Sequence, residues 1–493
     1  MADMEASTGI AGLDDVLGGG LARGRVFLLE GSPGTGKTTI ATQFLRAGAA
    51  AGERCLLVSL SETEDELRSS AASHGWTFDG IDICELMPPE SLLDENQQQS
   101  LLYSSDLELG ETAGRIFETI ERLVPDRVVL DSLSEIRLLA QSTLRYRRQV
   151  LAIKQYLAMR HATALLLDDC TVGAEDAIAH SVAHGVLRLE ELAPEYGAER
   201  RRLRVLKYRG RRFRGGHHDF AIATGGVRVF PRLVSAEHRS SFERDAVPSL
   251  SPELTALLGG GVERGSSVLV MGPSGTGKSL IALSFLQAAA ARGEAAAMFV
   301  FDEERGVLVQ RAKGVGIDLE PLIESGKLVL EQVDAAELTP GEFSERVRRS
   351  LEEAGARTVV IDSLNGYQAA MPGEQALILH MHELLQYLNR RQATTFLTVA
   401  QQGVVGDMRA PIDLTYLADT VILLRYFEAL GRVRRAISVV KKRTGRHEDT
   451  IREYRIDERG ISLGEPLTGF QGVLRGVPVL VGETAALLEP MER

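Results

Sequence analysis

An internal repeat constrains this sequence more than any other feature. The segment Leu17–Gly24 (LGGGLARG) returns as Leu258–Gly265 (LGGGVERG), and each copy precedes an apolar run and a glycine-rich loop. Copies of a repeat build the same structural unit, so the repeat decides the architecture before any local pattern does. Between the copies, residues 235–248 are polar and charged and end in proline, as in an exposed linker. The repeat therefore predicts two tandem domains, residues 1–240 and 241–493.

Both halves contain a P-loop motif, G-x-x-x-x-G-K-[ST]. It follows an apolar run that predicts a strand, Val26–Leu29 or Val268–Met271, and precedes a predicted helix that begins at Thr39 or Leu280. The glycines let backbone N–H groups turn toward phosphate oxygens, and the following helix presents its positive N-terminus to the same anion. A chance glycine turn does not explain two matches in the same register of a repeat. The predicted nucleotide-binding residues are Gly31, Ser32, Pro33, Gly34, Thr35, Gly36, Lys37, Thr38 and Thr39, and Gly272, Pro273, Ser274, Gly275, Thr276, Gly277, Lys278, Ser279 and Leu280.

Each half also supplies a hydroxyl and a carboxylate for a divalent cation. The loop lysine reaches the β and γ phosphates, and the Ser or Thr hydroxyl that follows it binds Mg²⁺. An aspartate ends the apolar run V-V-[LI]-D-S-L, and a carboxylate at the carboxyl end of a parallel strand lies beside such a loop. An aspartate that merely caps a turn is the alternative for either one alone. The predicted metal ligands are Thr38, Asp131, Ser279 and Asp362.

A further carboxylate follows the next apolar run in each half. Glu62 and Glu303 both lie 25 residues after the P-loop lysine of their own half. A carboxylate there can orient or deprotonate the attacking water, which makes Glu62, Asp302 and Glu303 the predicted catalytic residues. Ser61 replaces the first carboxylate of the pair in the first half, so we expect unequal chemistry. The alternative is that these glutamates only begin a helix.

Polar residues after a third apolar run are candidates for sensing the γ phosphate. They are Asp168 and Asp169 in the first half and Gln401 and Gln402 in the second.

Composition excludes several classes of protein. The chain carries a net charge of −12 and three scattered cysteines, Cys55, Cys84 and Cys170. A zinc ribbon requires paired cysteines, and an acidic balance argues against obligate nucleic-acid binding, which uses clustered Lys and Arg. The N-terminus has no signal-peptide pattern, and no apolar run is long enough for a bilayer. We therefore expect a cytoplasmic protein without a membrane or nucleic-acid partner and without a transition metal.

These motifs resemble those of the KaiC family of circadian-clock ATPases and autokinases. The resemblance rests on L-G-G-G-[LV]-x-R-G, on V-V-[LI]-D-S-L, and on the more distinctive segments Leu206–Gly210 and Arg435–Arg443. It covers nearly the whole chain. It implies an α/β fold of two tandem RecA-like P-loop NTPase domains, each a mostly parallel twisted sheet flanked by helices. It also implies ATP and Mg²⁺ at the subunit interfaces of a homohexameric double ring.

The resemblance implies that a neighbouring subunit completes each ATP site. The residues acting in trans would be Lys207, Arg209, Lys441 and Arg443. A cation aimed at the γ phosphate from another subunit stabilises transition-state charge only in the assembled ring. For the basic run Arg200–Arg214, which contains the first pair, a solvated face and a nucleic-acid patch are the second and third interpretations.

Autokinase activity, also implied by the resemblance, requires phosphoacceptors in the second domain. Alignment on Asp419–Ile422 puts Thr415 and Tyr416 where the family has a serine and a threonine. The longer tyrosine alters the near-attack geometry, so Thr415 is the expected acceptor, and an ordinary element edge is the alternative. The brief tail, residues 479–493, argues against a KaiA-type partner, while a KaiB-type partner on the first ring stays open.

Three functions therefore remain open from the sequence. The first is a hexameric Mg²⁺-dependent ATPase with serine/threonine autokinase activity in the second ring and a clock or signalling role. The second is a RadA/RecA-type recombination ATPase, which DNA would stimulate. The third is a nucleotide-gated signalling scaffold with negligible turnover, an interpretation that Ser61 favours. We expect the first.

Overall fold

The chain divides into two compact units, Met1–Arg232 and Leu233–Arg493. The structure is a computed structural model that describes residues 5–86, 101–170, 176–193, 197–234, 245–369, 371, 373–401, 403, 415–475 and 478–481. The boundary expected between residues 240 and 241 falls outside these ranges and stays a prediction.

The first unit alternates strands and helices and then adds antiparallel strands. Its elements are β1 (Glu5–Ala6), α1 (Ala11–Leu17), β2 (Leu21–Ala22), β3 (Val26–Gly31), α2 (Lys37–Ala50), β4 (Cys55–Ser59), α3 (Glu64–Ser73), β5 (Ile81–Glu85), α4 (Leu101–Leu123), β6 (Arg127–Asp131), α5 (Leu133–Ala140), α6 (Thr143–Met159), β7 (Thr163–Asp169), α7 (Asp176–Val182), β8 (Gly185–Leu192), β9 (Arg200–Tyr208), β10 (His218–Ala223) and β11 (Gly226–Phe230).

Within the described residues, the main sheet of the first unit has nine strands in the order β11-β10-β9-β8-β3-β7-β6-β4-β5. Pairing is parallel from β5 to β8 and antiparallel from β8 to β11. The strand that leads into the P-loop, β3, lies inside the sheet and is buried along its whole length, as a strand covered on both faces must be. The P-loop therefore opens at the carboxyl edge of the parallel strands.

The second unit repeats this order of elements. They are β12 (Ala246–Val247), α8 (Pro252–Leu257), β13 (Val262–Glu263), β14 (Ser267–Gly272), α9 (Lys278–Ala291), β15 (Ala295–Val300), α10 (Arg305–Lys313), α11 (Glu320–Glu324), β16 (Leu328–Gln332), α12 (Pro340–Glu352), β17 (Ala356–Asp362), α13 (Leu364–Ala369), α14 (Glu374–Arg390), β18 (Thr394–Ala400), β19 (Thr420–Ala429), β20 (Arg432–Lys442), β21 (Arg452–Asp457), β22 (Gly460–Pro466), β23 (Phe470–Gln471), a 3₁₀ turn (Val473–Arg475) and β24 (Val479–Leu480).

The main sheet of the second unit matches that of the first. Over the described ranges its strand order is β16-β15-β17-β18-β14-β19-β20-β21-β22, parallel from β16 to β19 and antiparallel beyond. The two sheets correspond strand for strand, with β14 in the place of β3. The internal repeat of the sequence is therefore a repeat of the fold.

Each sheet is covered on both faces. In β3, Phe27 and Leu29 pack into one apolar core, while Val26 and Leu28 pack into the core on the opposite face. This alternation follows from the two-residue period of a strand. No helix in the described part of the chain combines the length and apolar character that crossing a membrane requires. The predicted fold class, two tandem α/β domains with mostly parallel sheets flanked by helices, is confirmed.

Candidate functional site

The P-loop of the first domain is shaped by glycines with positive φ. Gly34 has φ +84° and Gly36 has φ +96°. A Cβ on Gly36 would lie 2.5 Å from Ile222 Cδ1, whereas a Cβ on Gly34 would meet no atom within 4 Å. Gly36 caps α2 without a side-chain hydrogen bond, so no side chain competes for the first N–H groups of this helix. The loop thus leaves an open space at a helix N-terminus, where an anion binds favourably.

Lys37, Thr38 and Asp131 come together at this loop. Thr38 Oγ1 donates a hydrogen bond to Asp131 Oδ2 at 2.8 Å. Asp131 is the last residue of β6 and is buried, and Lys37 Nζ donates to the carbonyls of Gly31 and Ser32 at 2.8 and 3.0 Å. The structure therefore brings the predicted phosphate ligand and both predicted metal ligands of the first domain to one place.

The environment of Asp131 suits a cation. Burial, with smaller contributions from Glu62 and Asp169, raises the pKa of its carboxyl to about 6, although the Thr38 hydrogen bond and Lys37 act in the opposite direction. A bound divalent cation would remove the cost of this buried negative charge. A carboxylate and a hydroxyl are hard oxygen ligands of the kind that Mg²⁺ takes. The residues present therefore fit Mg²⁺.

Lys37 has a second partner that the other domain lacks. Its Nζ lies 2.8 Å from Asp169 Oδ1, at the end of β7. The strand pairings align Gly31 with Asp169 and Gly272 with Ala400, so an alanine takes the place of this aspartate in the second domain. A carboxylate bound to the P-loop lysine competes with phosphate oxygens for the same ammonium group. The candidate sensor Gln402 lies outside the described residues.

Glu62 stands beside this cluster and outside the helix that follows it. Helix α3 begins at Glu64, and Thr63 and Glu66 form its capping box. The backbone N–H of Glu62 donates to Ser59 Oγ at 3.1 Å, and Ser59 Oγ donates back to the carbonyl of Glu62 at 2.5 Å. Burial, with a contribution from Glu66, raises the pKa of the Glu62 carboxyl. A raised pKa favours a general base, because basicity increases toward the working pH.

The P-loop of the second domain is held by two tyrosines, one from β19 and one from β21. Tyr426 Oη donates to the carbonyl of Ser274 at 3.3 Å, and Tyr454 Oη donates to the carbonyl of Thr276. Lys278 Nζ donates to the carbonyl of Pro273 at 2.9 Å. Burial lowers the pKa of Lys278, although Asp362 and Asp302 act in the opposite direction. Both carboxylates therefore lie within electrostatic reach of the loop lysine.

The carboxylates of the second domain have separate partners. Asp362 ends β17 and accepts a hydrogen bond from Thr398 Oγ1, while Ser363 Oγ donates to Asp302. Glu303 instead forms a two-bonded ion pair with Arg311 of α10, at 3.0 and 2.6 Å. Of the predicted pair, Asp302 is the one that accepts a hydrogen bond from Ser363, the residue after the predicted metal ligand Asp362.

Lys207 and Arg209 lie at the opposite edge of the sheet from the P-loop of their own domain. Lys207 Nζ donates to the carbonyls of His180 and Ala183, just before β8, and Arg209 donates to the carbonyl of Ser181. The start of β8 pairs with the start of β3, whereas the P-loop follows the end of β3. Five residue steps separate the two ends of β3, about 17 Å. These cations therefore do not serve the P-loop of their own domain.

A basic cluster surrounds this pair in the first domain. It consists of Arg25, Lys154, His184, Lys207 and Arg209. Burial and the neighbouring cations lower the pKa values of Lys154, His184 and Lys207. Like charges held together cost folding free energy, and a polyanion bound among them would remove that cost. The cluster is therefore suited to a bound polyanion.

The same edge of the second domain holds the predicted acceptors. Lys441 Nζ donates to the carbonyls of Thr415 and Ala418 at 2.7 and 2.8 Å, and Arg443 donates to the carbonyl of Tyr416 at 2.5 Å. The Tyr416 side chain is half exposed. Thr415, Tyr416 and the two cations thus share one edge of the sheet, distant from the P-loop of their own domain.

The basic run Arg200–Arg214 forms β9 and the turn after it. Arg201 pairs with Glu191 and Glu199, Arg202 with Glu190, and Arg211 with Glu5. These ion pairs engage three of the nine basic residues in the run, which lowers the positive charge that a nucleic-acid patch could use.

Sequence reasoning missed several residues of the second site. They are Arg311, Ser363, Thr398, Tyr426 and Tyr454, which bind the carboxylates or the loop. Ser363 could have been found, because it directly follows the predicted metal-binding aspartate. The tyrosines come from strands about 150 to 180 residues beyond the loop, and no local pattern predicts such contacts.

The chain is similar to known proteins along nearly its whole length. The model described as "ATPase: KaiC" matches residues 6–234 and again residues 247–468. Circadian clock protein KaiC3 of Synechocystis sp. (strain ATCC 27184 / PCC 6803 / Kazusa) is 28% identical, over 97% of this chain and 95% of its own length. The circadian clock oscillator protein KaiC of Thermostichus vulcanus is also 28% identical, over 96% of this chain and 92% of its own length. KaiC2 of the same Synechocystis strain is 27% identical, over 96% of this chain and 84% of its own length.

Proposed function

The chain belongs to the KaiC family of ATPases, and on that premise we propose that each domain binds and hydrolyses Mg²⁺-ATP at its P-loop. The observation that carries the proposal is the hydrogen bond between Thr38 and Asp131 beside Lys37. It places a hydroxyl and a carboxylate, the two predicted metal ligands, next to the lysine that would bind phosphate. Bound Mg²⁺ supplies charge neutralisation at the phosphates.

In the first domain, Lys37 and the N–H groups at the start of α2 hold the phosphates. Thr38 and Asp131 hold the metal ion. Glu62 orients the attacking water and accepts its proton, a role that its raised pKa favours. Because Ser61 replaces a second carboxylate, Glu62 acts there alone, and we expect slow hydrolysis in this domain.

In the second domain, Lys278, Ser279 and Asp362 take the equivalent roles. Asp302 is the better placed base, since it is joined to Ser363 and acts on the pKa of Lys278. Glu303 is held by Arg311 and orients this segment rather than taking a proton.

We further propose that ATP is shared between subunits of a homohexameric double ring. The support is the position of Lys207 and Arg209 at the sheet edge opposite their own P-loop. A head-to-tail contact brings that edge to the P-loop of the next subunit, and such contacts close into rings. Lys441 and Arg443 take the equivalent positions in the second domain.

Autophosphorylation follows from the same arrangement. Thr415 lies at the edge that faces the next subunit's ATP in such a ring. Its hydroxyl proton would pass to that subunit's carboxylate, its Oγ1 would take the γ-phosphoryl group, and ADP would leave. Tyr416 is the second, less suitable acceptor. A clock or signalling role, a KaiB-type partner and a cytoplasmic location stay predictions.

The test is phosphopeptide mapping of the purified chain after incubation with ATP and Mg²⁺, with released phosphate counted in parallel. Glu303→Gln and Asp302→Asn separate the two carboxylates, and we expect the second to lose more phosphate transfer. Phosphate on Thr415 that disappears in Asp302→Asn supports the autokinase. Phosphate release without modification of the chain indicates a ring ATPase that is not an autokinase. If the chain neither releases phosphate nor becomes phosphorylated, the signalling scaffold is the better interpretation.

A further inference from the structure

A cavity of about 330 Å³ in the second domain adjoins the proposed ATP site. One wall is a face of α9, and the other lining residues come from the start of α8, the turn after α10, β21 and β22. A Cβ on Gly277 of the P-loop would lie 2.3 Å from Cδ1 of Ile456, one of the lining residues. Leu280, the last of the predicted nucleotide-binding residues, also lines the cavity, which extends from there along α9 to Gln287. Its walls include Leu280, Ser284, Gln287, Val315, Ile317 and Ile456.

Gln287 presents an unpaired acceptor in this wall. Its Oε1 atom is buried and has no hydrogen-bond partner within the part of the chain that the structure describes. Buried polar atoms are nearly always paired, so an orphan beside a cavity indicates a donor on a ligand. Gln287 follows Lys278 by nine residues, about 14 Å along the helix, and helical side chains lean toward the N-terminus. With phosphates at the P-loop, this cavity is the adjoining space that a ribose and base could enter, and the Gln287 amide lines it.

The first domain fills the same place with its own side chains. Trp76 and Gln43 occupy the positions of Ile317 and Ser284 relative to the P-loop lysine. The Gln43 amide is used internally, since its Oε1 accepts from the backbone N–H of Val227 at 2.7 Å. Two larger side chains therefore close the space that is open in the second domain.

The first domain also lacks the unpaired acceptor. Arg46 takes the position of Gln287 and donates to the carbonyl of Thr77 at 2.8 Å. Its guanidinium lies over the Trp76 ring, 5.3 Å from the centroid. The two halves, equivalent at their P-loops, therefore differ at the place where a base would lie.

We propose that Gln287 recognises the 6-amino group of adenine, so that the second domain selects ATP over 6-oxopurine nucleotides by a contact that the first domain does not have. This inference rests on the ATP site proposed above. An amide can accept from the 6-amino group while donating to a ring nitrogen, the pairing by which Gln recognises adenine in nucleic acids. A 6-oxopurine offers an acceptor there, and the buried Oε1 of Gln287 stays unpaired.

The experiment measures equilibrium binding of ATP and of inosine triphosphate, each with Mg²⁺, to the full chain. The chains that test Gln287 all carry Lys37→Ala, which disables the first site so that binding reports on the second. The proposed base pocket lies within one chain, so this measurement does not depend on ring assembly. We expect Gln287→Leu to weaken ATP binding roughly tenfold with little change for inosine triphosphate, the effect of one net hydrogen bond. Gln287→Glu keeps an acceptor oxygen and should keep the preference for ATP.

Two controls separate base recognition from general effects. Gln310→Leu, an exposed glutamine on α10, should leave the ratio of the two affinities unchanged. Arg46→Leu, in a chain whose second site is disabled by Lys278→Ala, should also leave the ratio unchanged. If Gln287→Leu binds both nucleotides as its parent does, the inference fails while the ATP site stands. If the Lys37→Ala parent binds neither nucleotide, the proposed second ATP site fails, and the inference fails with it.

Discussion

Single residues distinguish two sites that share one P-loop design. Lys37 contacts Asp169, whereas an alanine stands at that place for Lys278. Likewise Ser61 of the first domain corresponds to Asp302 of the second. Each difference changes a charge within reach of the phosphates, so we expect the two domains to bind and process ATP unequally.

The contact between Lys37 and Asp169 leads to a prediction on affinity. Asp169→Ala should tighten ATP binding at the first site for two reasons. Lys37 no longer has to break its ion pair with Asp169 before it binds phosphate, and the repulsion between this carboxylate and the phosphates is removed. With Asp169 about a third exposed, we expect a gain of about threefold to tenfold, the scale of a partly screened ion pair. Equilibrium dialysis in a Lys278→Ala background measures it. Asp126→Ala, at a distant surface ion pair, is the control. Weaker binding in Asp169→Ala would show that this carboxylate assists the site instead.

His218 leads to a prediction on pH. It is fully buried, its Nε2 donates to the carbonyl of Arg214, and its Nδ1 accepts from the N–H of Arg232, each at 2.9 Å. Burial lowers its pKa from 6.5 to about 4. The unfolded chain therefore binds the extra proton between pH 6.5 and 4, and the stability of the first domain falls as pH falls through this window, by up to about 3 kcal/mol.

The measurement is denaturant unfolding at pH 7 and pH 4.5, followed by the fluorescence of Trp76. Trp76 is the single tryptophan of the chain, so this signal reports on the first domain. His218→Gln does not titrate, and its stability should depend less on pH than that of the natural chain. Equal pH dependence in the two chains would contradict the role given to His218.

At the scale of elements, the two glycines that flank α2 lead to a prediction on stability. Gly36 and Gly52 both have positive φ, +96° and +78°, so alanine strains the backbone at either position. Only at Gly36 would the new Cβ also meet a neighbour, Ile222, at 2.5 Å. We expect Gly52→Ala to cost about 1 kcal/mol and Gly36→Ala about 1–3 kcal/mol more, and only Gly36→Ala to lose ATP binding.

Trp76 fluorescence during denaturant unfolding measures both variants. Equal losses of stability, or normal ATP binding in Gly36→Ala, would mean that the loop adjusts to a side chain at this position.

The elements that the sequence predicted well were those with a local signature. The strands before the P-loops were expected at Val26–Leu29 and Val268–Met271, and each extends to the glycine that opens the loop. The helices were expected from Thr39 and Leu280 but begin two residues earlier, at the P-loop lysines. The glycine before each lysine already serves as the helix cap, which a propensity pattern does not reveal.

Features that depend on distant contacts could not be predicted from local patterns. The different roles proposed for Asp302 and Glu303 depend on their partners, Ser363 and Arg311. Ser363 lies 61 residues after Asp302 in the sequence. The cavity beside Gln287 depends on which side chains fill the space between α9 and β21. Such packing is a property of the folded chain, since it joins segments that the sequence keeps far apart.

At the scale of the whole molecule, two equivalent sheets carry two unequal sites. In both domains the P-loop opens at one edge of the sheet, and the candidate trans cations lie at the other. Each domain therefore carries two separate parts of an ATP site, the P-loop and the candidate trans cations. In the proposed ring, the P-loop of one subunit would meet the cations of the next. Among the described residues at that edge, the first domain brings Arg25, Lys154, Lys207 and Arg209 together, whereas in the second Asp419 pairs with Arg443. We expect the first domain to contribute more to nucleotide-dependent assembly.

The most direct test measures phosphate release and oligomer size together for the natural chain, Lys37→Ala, Lys278→Ala and the double variant, with ATP and Mg²⁺. We expect Lys278→Ala to keep the hexamer and a part of the turnover while losing any phosphate transfer. Lys37→Ala should shift toward smaller species, and the double variant should release no phosphate. A double variant that assembles and hydrolyses ATP like the natural chain would contradict the assignment of both sites.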